Sequence, residues 1–261
     1  MARLCPLASG SSGNCTYISS GESAVIIDAG IPYKTICERV AAVGGDISKI
    51  SGIALTHTHD DHIKGLKTLL QKTGAPLFCT KESAEHLTAK NMLPGGVSSI
   101  ITDGERTSFA DMEIFRFAVS HDAPGSCGYR IATKSGCCAV CTDSGIITEN
   151  MRTALLGCDV VLLEFNHDID MLRRGPYPPH LKIRILSDLG HLSNNAASAE
   201  IPALLTSGTK QIICGHISRQ NNTPQLAVSA ARIAAESVGA KVDIDYLLSA
   251  AKPGMSEVSV F

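Results

Sequence analysis

The sequence predicts a mixed α/β (α+β) fold in one domain spanning residues 1–261. Short apolar runs bounded by Gly, Ser, Asn and Asp alternate with segments whose apolar residues recur at helical spacing. Several of the apolar runs end in His or Asp. No low-complexity linker or tandem repeat divides the chain. At 261 residues, 44% hydrophobic and 18% charged, it can bury a sizeable core. A net charge of −2 gives no global attraction to nucleic acid or anionic membrane.

Taken in order, residues 3–8 read as a first strand, followed by the small-residue turn Ser9-Gly10-Ser11-Ser12-Gly13-Asn14, which suits close approach to a ligand. Cys15–Ser19 and Ala24–Asp28 form a hairpin, and Asp28-Ala29-Gly30 ends its second strand. Asp28 reads equally as a turn residue or as a partner for a metal-bound His. Tyr33–Val43 is a helix stopped by Gly44-Gly45.

Ile50–Thr56 is a buried strand running into His57-Thr58-His59-Asp60-Asp61-His62, three of the chain's nine His within six positions. The residues from Ile63 to about Lys72 have helical spacing, so this motif sits on a strand-to-helix turn. Side chains two apart in extended chain share a face, so His57 and His59 point together, and Asp61 and His62 open the helix toward a neighbouring point. Imidazole and carboxylate are donors that Zn and similar metals accept.

Ala75–Cys79 is a strand and Lys81–Asn91 a helix capped by Thr80, with His86 structural or exposed. Two strands between Thr107 and Val119 lead to Ser120-His121-Asp122. A hairpin, Gly128–Thr133 with Cys137–Cys141, leads to Asp143. Asp159–Phe165 is an apolar strand carrying Glu164 and ending in Asn166-His167-Asp168. Residues 171–184 are locally basic, a solvated face or a phosphate contact. His191 stands before Ser193-Asn194, the start of an Ala-rich helix to about Leu205, and helix starts bind anions readily. Lys210–Cys214 is a buried strand delivering His216. Thr223-Pro224 opens a helix to Gly239, and residues 241–248 form a closing strand.

The ten Cys lie mostly in apolar segments, as small buried thiols of a reducing cytoplasm do. Cys138 and Cys141, formally C-x-x-C, face opposite sides of a strand and lack a partner pair for zinc. No apolar run is long enough to span a membrane, and the N-terminus lacks the apolar core of a signal peptide. These readings place the protein in the cytoplasm.

With His57/His59, His121, Asp143 and His216 each following an apolar strand, the sequence resembles the metallo-β-lactamase superfamily. The H-x-H-x-D-H signature stands unaltered at 57–62, and the later His, Asp and His follow in order. Ala8–Asn14, Ser120–Ala123, Asn166–Asp168 and Gly190–Asn194 are similar to local patterns of its bacterial YycJ (WalJ)-like branch. The resemblance implies a four-layer αββα sandwich and two divalent metal ions, Zn, Mn or Fe. His57, His59 and His121 would hold the first, Asp61, His62 and His216 the second, and Asp143 would bridge them. Two such ions would lower the pKa of a shared water toward roughly 7 and clamp the substrate oxygen.

The expected function is therefore a metal-dependent hydrolase, foremost a phosphodiesterase or DNA exonuclease. The expected partner is a phosphodiester substrate, DNA among the choices, and oligomeric state is left open. His191, and after it His167, are the candidates for protonating a leaving oxygen or holding a phosphate. Ser11, Ser12, Asn14, Ser193 and Asn194 are candidates for substrate contact. A thioesterase or lactonase is the alternative, and would need an acyl pocket. A non-catalytic regulatory metal protein is a further one. A diiron redox protein would carry Glu where His59 stands. The large inserted nucleic-acid clamp of RNA-processing relatives is absent between Asp143 and His216.

Overall fold

The computed structural model describes residues 1–101 and 106–261. Two seven-stranded sheets face one another. The first holds β1 (Arg3–Ala8), β2 (Cys15–Ser19), β3 (Ala24–Ile27), β4 (Ile50–Ala54), β5 (Leu77–Cys79), β6 (Ser99–Ile101) and β14 (Ser259–Val260), in the order β14-β1-β2-β3-β4-β5-β6. The second holds β7 (Arg106–Phe109), β8 (Met112–Ala118), β9 (Cys127–Thr133), β10 (Gly136–Cys141), β11 (Val160–Glu164), β12 (Gln211–Gly215) and β13 (Leu247–Ala250), in the order β13-β12-β11-β10-β9-β8-β7. Each sheet is antiparallel on one side and parallel on the other, the change falling at β3 and β10.

Strand alternation builds three apolar layers. In β3, Val25 and Ile27 face the other sheet, while Ala24 and Ile26 face the helices outside. In β10, Cys138 and Val140 enter the layer between the sheets, and Cys137, Ala139 and Cys141 face outward. Such strands read as continuous apolar runs because both faces are covered. Helices α1 (Tyr33–Ala42), α3 (Leu66–Thr73) and α4 (Lys81–Ala89) cover the first sheet. Helices α5 (Glu149–Leu155), α8 (Asn194–Ser198), α9 (Ile201–Thr206) and α10 (Pro224–Glu236) cover the second. The result is the αββα sandwich. Cys138 and Cys141 do face opposite sides, and no disulfide forms among the described residues.

Several boundaries differ from the sequence reading. The helix after the His motif is broken into α2 (Asp60–Ile63) and α3. At the break Gly65 donates to Ala29 O, and a Cβ there would lie 2.1 Å from Ile31 O. The Ala-rich helix is likewise two pieces, with Pro202 in the first turn of α9. Helix α10 stops at Glu236. The closing strand is Leu247–Ala250 rather than 241–248, because Lys241–Tyr246 form a turn in which Asp245 caps the Lys241 N–H and Asp243 takes φ +63°. The basic stretch becomes α6 (Ile169–Arg174) and α7 (Pro179–Leu186). No helix among the described residues is long and apolar enough to cross a membrane.

Candidate metal centre and active site

Strand β4 ends at Ala54, and the chain stays extended into His57 and His59 before α2 begins. His57 Nε2 and His59 Nδ1 come within 3.1 Å of each other, and His59 Nδ1 lies 3.3 Å from His121 Nε2. Ligand atoms of His57, His59 and His121 fit within a 4.8 Å sphere of separation, as do those of Asp61, His62 and His216. These are the two triads implied by the sequence. Asp143 is grouped both with His57 and His62 and with His216, between the triads. Its Oδ2 is 3.4 Å from His62 Nε2, and its Oδ1 is 3.3 Å from His216 Nδ1.

The backbone around the centre is unusual. Asp28, Asp143 and His216 all take left-handed backbone angles, φ +61°, +59° and +50°. Non-glycine residues seldom do so, and such strain concentrates at functional sites. Each sits where a strand has just ended, turning its side chain across the sheet edge. The His motif also packs against bare backbone. Asn14 N–H donates to Asp61 O, Gly30 N–H to Asn14 O, and Ala29 N–H to His62 O. A Cβ on Gly30 would lie 1.7 Å from Asp61 O, so glycine is required there.

A ring of further groups orients the ligands. Buried Asp28 takes the Nδ1–H of His62 at 2.7 Å, turning Nε2 toward Asp143 and the Asn14 amide, and it also accepts from the Thr56 N–H and hydroxyl. His121 Nδ1 donates to Gly190 O at 3.0 Å, which likewise turns Nε2 toward His59. Glu164, wholly buried, lies 3.0 Å from His216 Nδ1 and 2.8 Å from His191 Nδ1 through Oε1. Its Oε2 accepts the Ser144 and Leu192 N–H groups. Asp28 was legible as half of an alternative. Glu164 was not assigned a role, although a lone carboxylate in an otherwise apolar strand was the signal for it. Asp122, 3.6 Å from His59 Nε2 and 3.5 Å from His121 Nε2, is held by a two-pronged Arg184 contact and was also missed as a site residue.

The electrostatics suit cations. Burial, with repulsion from His62, holds His57 well below its ordinary pKa, and burial with His121 lowers His59. Both are therefore neutral imidazoles, the ligand form. Burial opposes ionisation of Asp143, yet His216 and His62 outweigh it and keep the carboxyl well below its usual range. His216 is pushed well up against its burial by Asp143, Asp61 and Glu164, and His62 rises to about 10 beside Asp28 and Asp143. Asp143 Oδ2 and His216 Nε2 are buried without a hydrogen-bond partner. Orphaned ligand atoms where the neutral His57 and His59 rings meet ionised carboxylates fit a pair of divalent ions.

The centre forms the floor of a cavity of about 490 Å³. Ser11, His86, Lys90, Tyr177, Arg184 and His191 are among its walls. The other candidates are placed differently. Asn14 is buried, 2.9 Å from His62 Nε2 and 3.3 Å from Asp61 Oδ2, so it touches the ligands. Ser12 is exposed and does not line the cavity. Ser193 caps α8 through the Ala196 N–H, and Asn194 is buried in a pair with Asn222, so neither faces the cavity. His167 is buried away from the lining, with both ring nitrogens unpaired, and burial pushes its pKa down to about 4. His86, read as structural or exposed, meets Thr58 Oγ1 at 2.9 Å.

Residues 24–217 match the family model for the beta-lactamase superfamily domain. The chain is 36% identical over 224 residues to exodeoxyribonuclease YycJ of Bacillus anthracis, covering 85% of this chain and 84% of that one. It is 36% identical over 225 residues to exodeoxyribonuclease WalJ of Streptococcus pneumoniae, covering 85% and 83%. Among solved structures, the metallo-beta-lactamase fold protein YhfI from Bacillus subtilis superposes with a TM-score of 0.76 at 14% identity, over 100% of both chains. Unliganded yeast PDE1 superposes with a TM-score of 0.71 at 14% identity, over 97% of this chain and 98% of that one. On the matched domain, the identity across most of its length and the shared sandwich, the chain belongs to the metallo-β-lactamase superfamily, in its YycJ/WalJ branch.

Proposed function

We propose that this protein is a cytoplasmic metal-dependent phosphodiesterase that degrades DNA from an end. The observation that carries the reading is the convergence of two ligand triads and Asp143 on one polar cavity, in a chain 36% identical to two proteins named exodeoxyribonucleases. Ten cysteines with no disulfide among the described residues agree with a reducing compartment.

His57, His59 and His121 would hold one divalent ion, Asp61, His62 and His216 a second, with Asp143 between them. Bound there, the ions would supply an activated water and charge stabilisation for an attacked phosphorus. Asp28, Glu164 and Gly190 keep the candidate rings turned, each accepting from Nδ1–H so that Nε2 points into the centre. Glu164 also accepts from His191 Nδ1–H, and as an imidazolium that ring would pass its Nε2 proton to the leaving oxygen and keep the Nδ1 proton directed at Glu164. Arg184 and Lys90 on the walls are suited to flanking phosphates. Most lining residues carry polar or charged side chains, Leu181 and Ile185 being the aliphatic ones, which favours a charged, hydrated substrate over the acyl chain of a thioester or lactone.

The test is a direct comparison on protein reconstituted separately with Zn, Mn and Fe. End-labelled single- and double-stranded DNA, bis-p-nitrophenyl phosphate, a thioester and a lactone are offered to each form. Stepwise shortening of DNA in at least one form, absent from His59→Ala, is the expected result. Thioester or lactone turnover without DNA cleavage overturns the reading.

A further inference from the structure

A second reactive locus lies at the opposite end of β10 from the metal centre. Asp143 follows the C-terminal end of that strand and Cys137 stands near its start, six residues apart in sequence and so separated by about 20 Å of extended chain. Cys137 Sγ is 3.4 Å from Arg130 Nη2. That guanidinium is fixed from behind, its Nη1 donating to Ala154 O and Leu156 O at the end of α5. On the other side the Cys137 thiol donates to Gly157 O at 3.3 Å, next to Cys158, whose own thiol donates to Ala154 O at 3.6 Å. A cavity of about 790 Å³ opens onto the pair, with Cys137, Arg130, Phe115, Phe117 and Thr153 in its walls. No ligand in the metal centre touches this cavity.

The backbone brings the two cysteines to neighbouring positions. Asp159 N–H donates to Cys137 O at 2.8 Å, and β10 and β11 pair in parallel from Cys138 and Val160 onward. Cys137 therefore stands opposite Asp159, one residue past Cys158, on neighbouring chain segments about 5 Å apart, and both cysteines belong to the apolar layer outside the second sheet. A disulfide needs Cα atoms roughly 4.4–6.8 Å apart. We propose that Cys137 and Cys158 form a peroxide-reactive thiol pair, Cys137 the attacking sulfur and Cys158 the resolving one.

The chemistry closes on hydrogen peroxide as the oxidant. Cys137 sulfur attacks one peroxide oxygen, the O–O bond breaks, and hydroxide leaves and is protonated to water, giving a sulfenic acid. Cys158 sulfur then attacks Cys137 sulfur, the S–O bond breaks, and a second water leaves with the Cys158 proton. Two thiols lose two electrons and one peroxide gains them. The surroundings favour these roles. The neighbouring Cys158 thiol holds Cys137 below its ordinary pKa against burial, with Arg130 adding to the effect, whereas Cys158 is pushed well up. Burial raises Cys5, Cys15, Cys79, Cys127, Cys138, Cys141 and Cys214, which keeps those thiols inert. Cys37, the one more exposed thiol, is the internal control.

The experiment uses the full-length protein. Time-resolved iodoacetamide labelling at pH 7, read by peptide mass spectrometry, is expected to modify Cys137 on the order of tenfold faster than Cys37, since an ordinary thiol is only a few per cent thiolate there. Hydrogen peroxide is expected to yield a Cys137–Cys158 cross-linked peptide. In Cys158→Ala the product becomes a Cys137 sulfenic acid trapped by dimedone. Labelling of Cys37 as fast as Cys137, or oxidation elsewhere while the Cys137 and Cys158 peptides stay separate, overturns the proposal. Both decisive readings use the unaltered chain, so they do not depend on the variant folding.

Discussion

The two sheets share one plan, antiparallel on one side and parallel on the other, yet they serve the metal centre differently. The first delivers His57, His59, Asp61 and His62 from a single turn after β4. The second delivers His121, Asp143 and His216 from three separate strand ends. In the first, position follows from local chain geometry, and neighbouring backbone at Asn14, Ala29 and Gly30 holds the turn in place. In the second, nothing local joins the ligands. They are fixed by Glu164, by Gly190 O, and by left-handed backbone at Asp143 and His216. A contiguous ligand set needs little beyond its own turn, whereas a dispersed one needs a buried frame behind it.

The sharpest way to break this comparison is Asp143→Ala, which removes the group between the triads. Activity is expected to fall by on the order of 10³-fold or more, and metal analysis should show fewer ions per chain. Chelation and metal restoration should reproduce the loss and its recovery in the unaltered protein. A variant that kept both its metal and its activity would deny Asp143 its position between two ions.

Next in size is His191→Ala. Loss of a group that passes a proton costs roughly 10²–10⁴-fold in rate, here with metal content unchanged. If metal is lost along with rate, His191 is a ligand rather than a proton donor.

The comparison itself is tested by pairing Asp28→Asn with Glu164→Gln. Each orienting carboxylate is worth about 10–100-fold in metal affinity or activity. Glu164→Gln is expected to be the more damaging, because its Oε1 serves two rings while its Oε2 accepts two backbone N–H groups, which an amide NH₂ cannot do. Kinetics and metal titration of the two variants side by side give the ranking. Equal effects would mean that the dispersed ligands need no stiffer frame than the contiguous ones.

The smallest effect concerns His167. Its folded pKa, about 4, lies below the ordinary 6.5, so burying the neutral ring stabilises the fold above about pH 6.5. That contribution falls away as pH drops from there toward 4. Between pH 7 and pH 5 the loss is about 2 kcal/mol at most. Thermal melts at the two pH values should show His167→Gln losing less stability on acidification than the parent chain. Its DNA cleavage at neutral pH should stay within about threefold.

How much of this was legible depended on how far apart the interacting residues are. The H-x-H-x-D-H turn could be read directly, because a strand-to-helix junction dictates where its side chains point. Strand apolarity and the Thr80, Ser193 and Thr223 caps also appear where local chemistry puts them. The break at Gly65 was not legible, since it comes from Ile31 O pressing against that position. Nor was the removal of Ser193 and Asn194 from the cavity, since their partners, an amide three residues on and Asn222, satisfy them instead.

By itself, then, the sequence determined an α/β chain of apolar strands and helices and the order of seven candidate ligand positions, because apolar periodicity and a contiguous His/Asp turn act over a few residues, and the resemblance these carry implied the αββα class. Only the tertiary structure decided which groups orient those ligands. Glu164 meets His191 and His216, and Arg184 meets Asp122, solely because β11, β12 and α7 are brought to one sheet edge. A buried carboxylate in a strand is costly until its partners arrive, and where they arrive from is a property of packing.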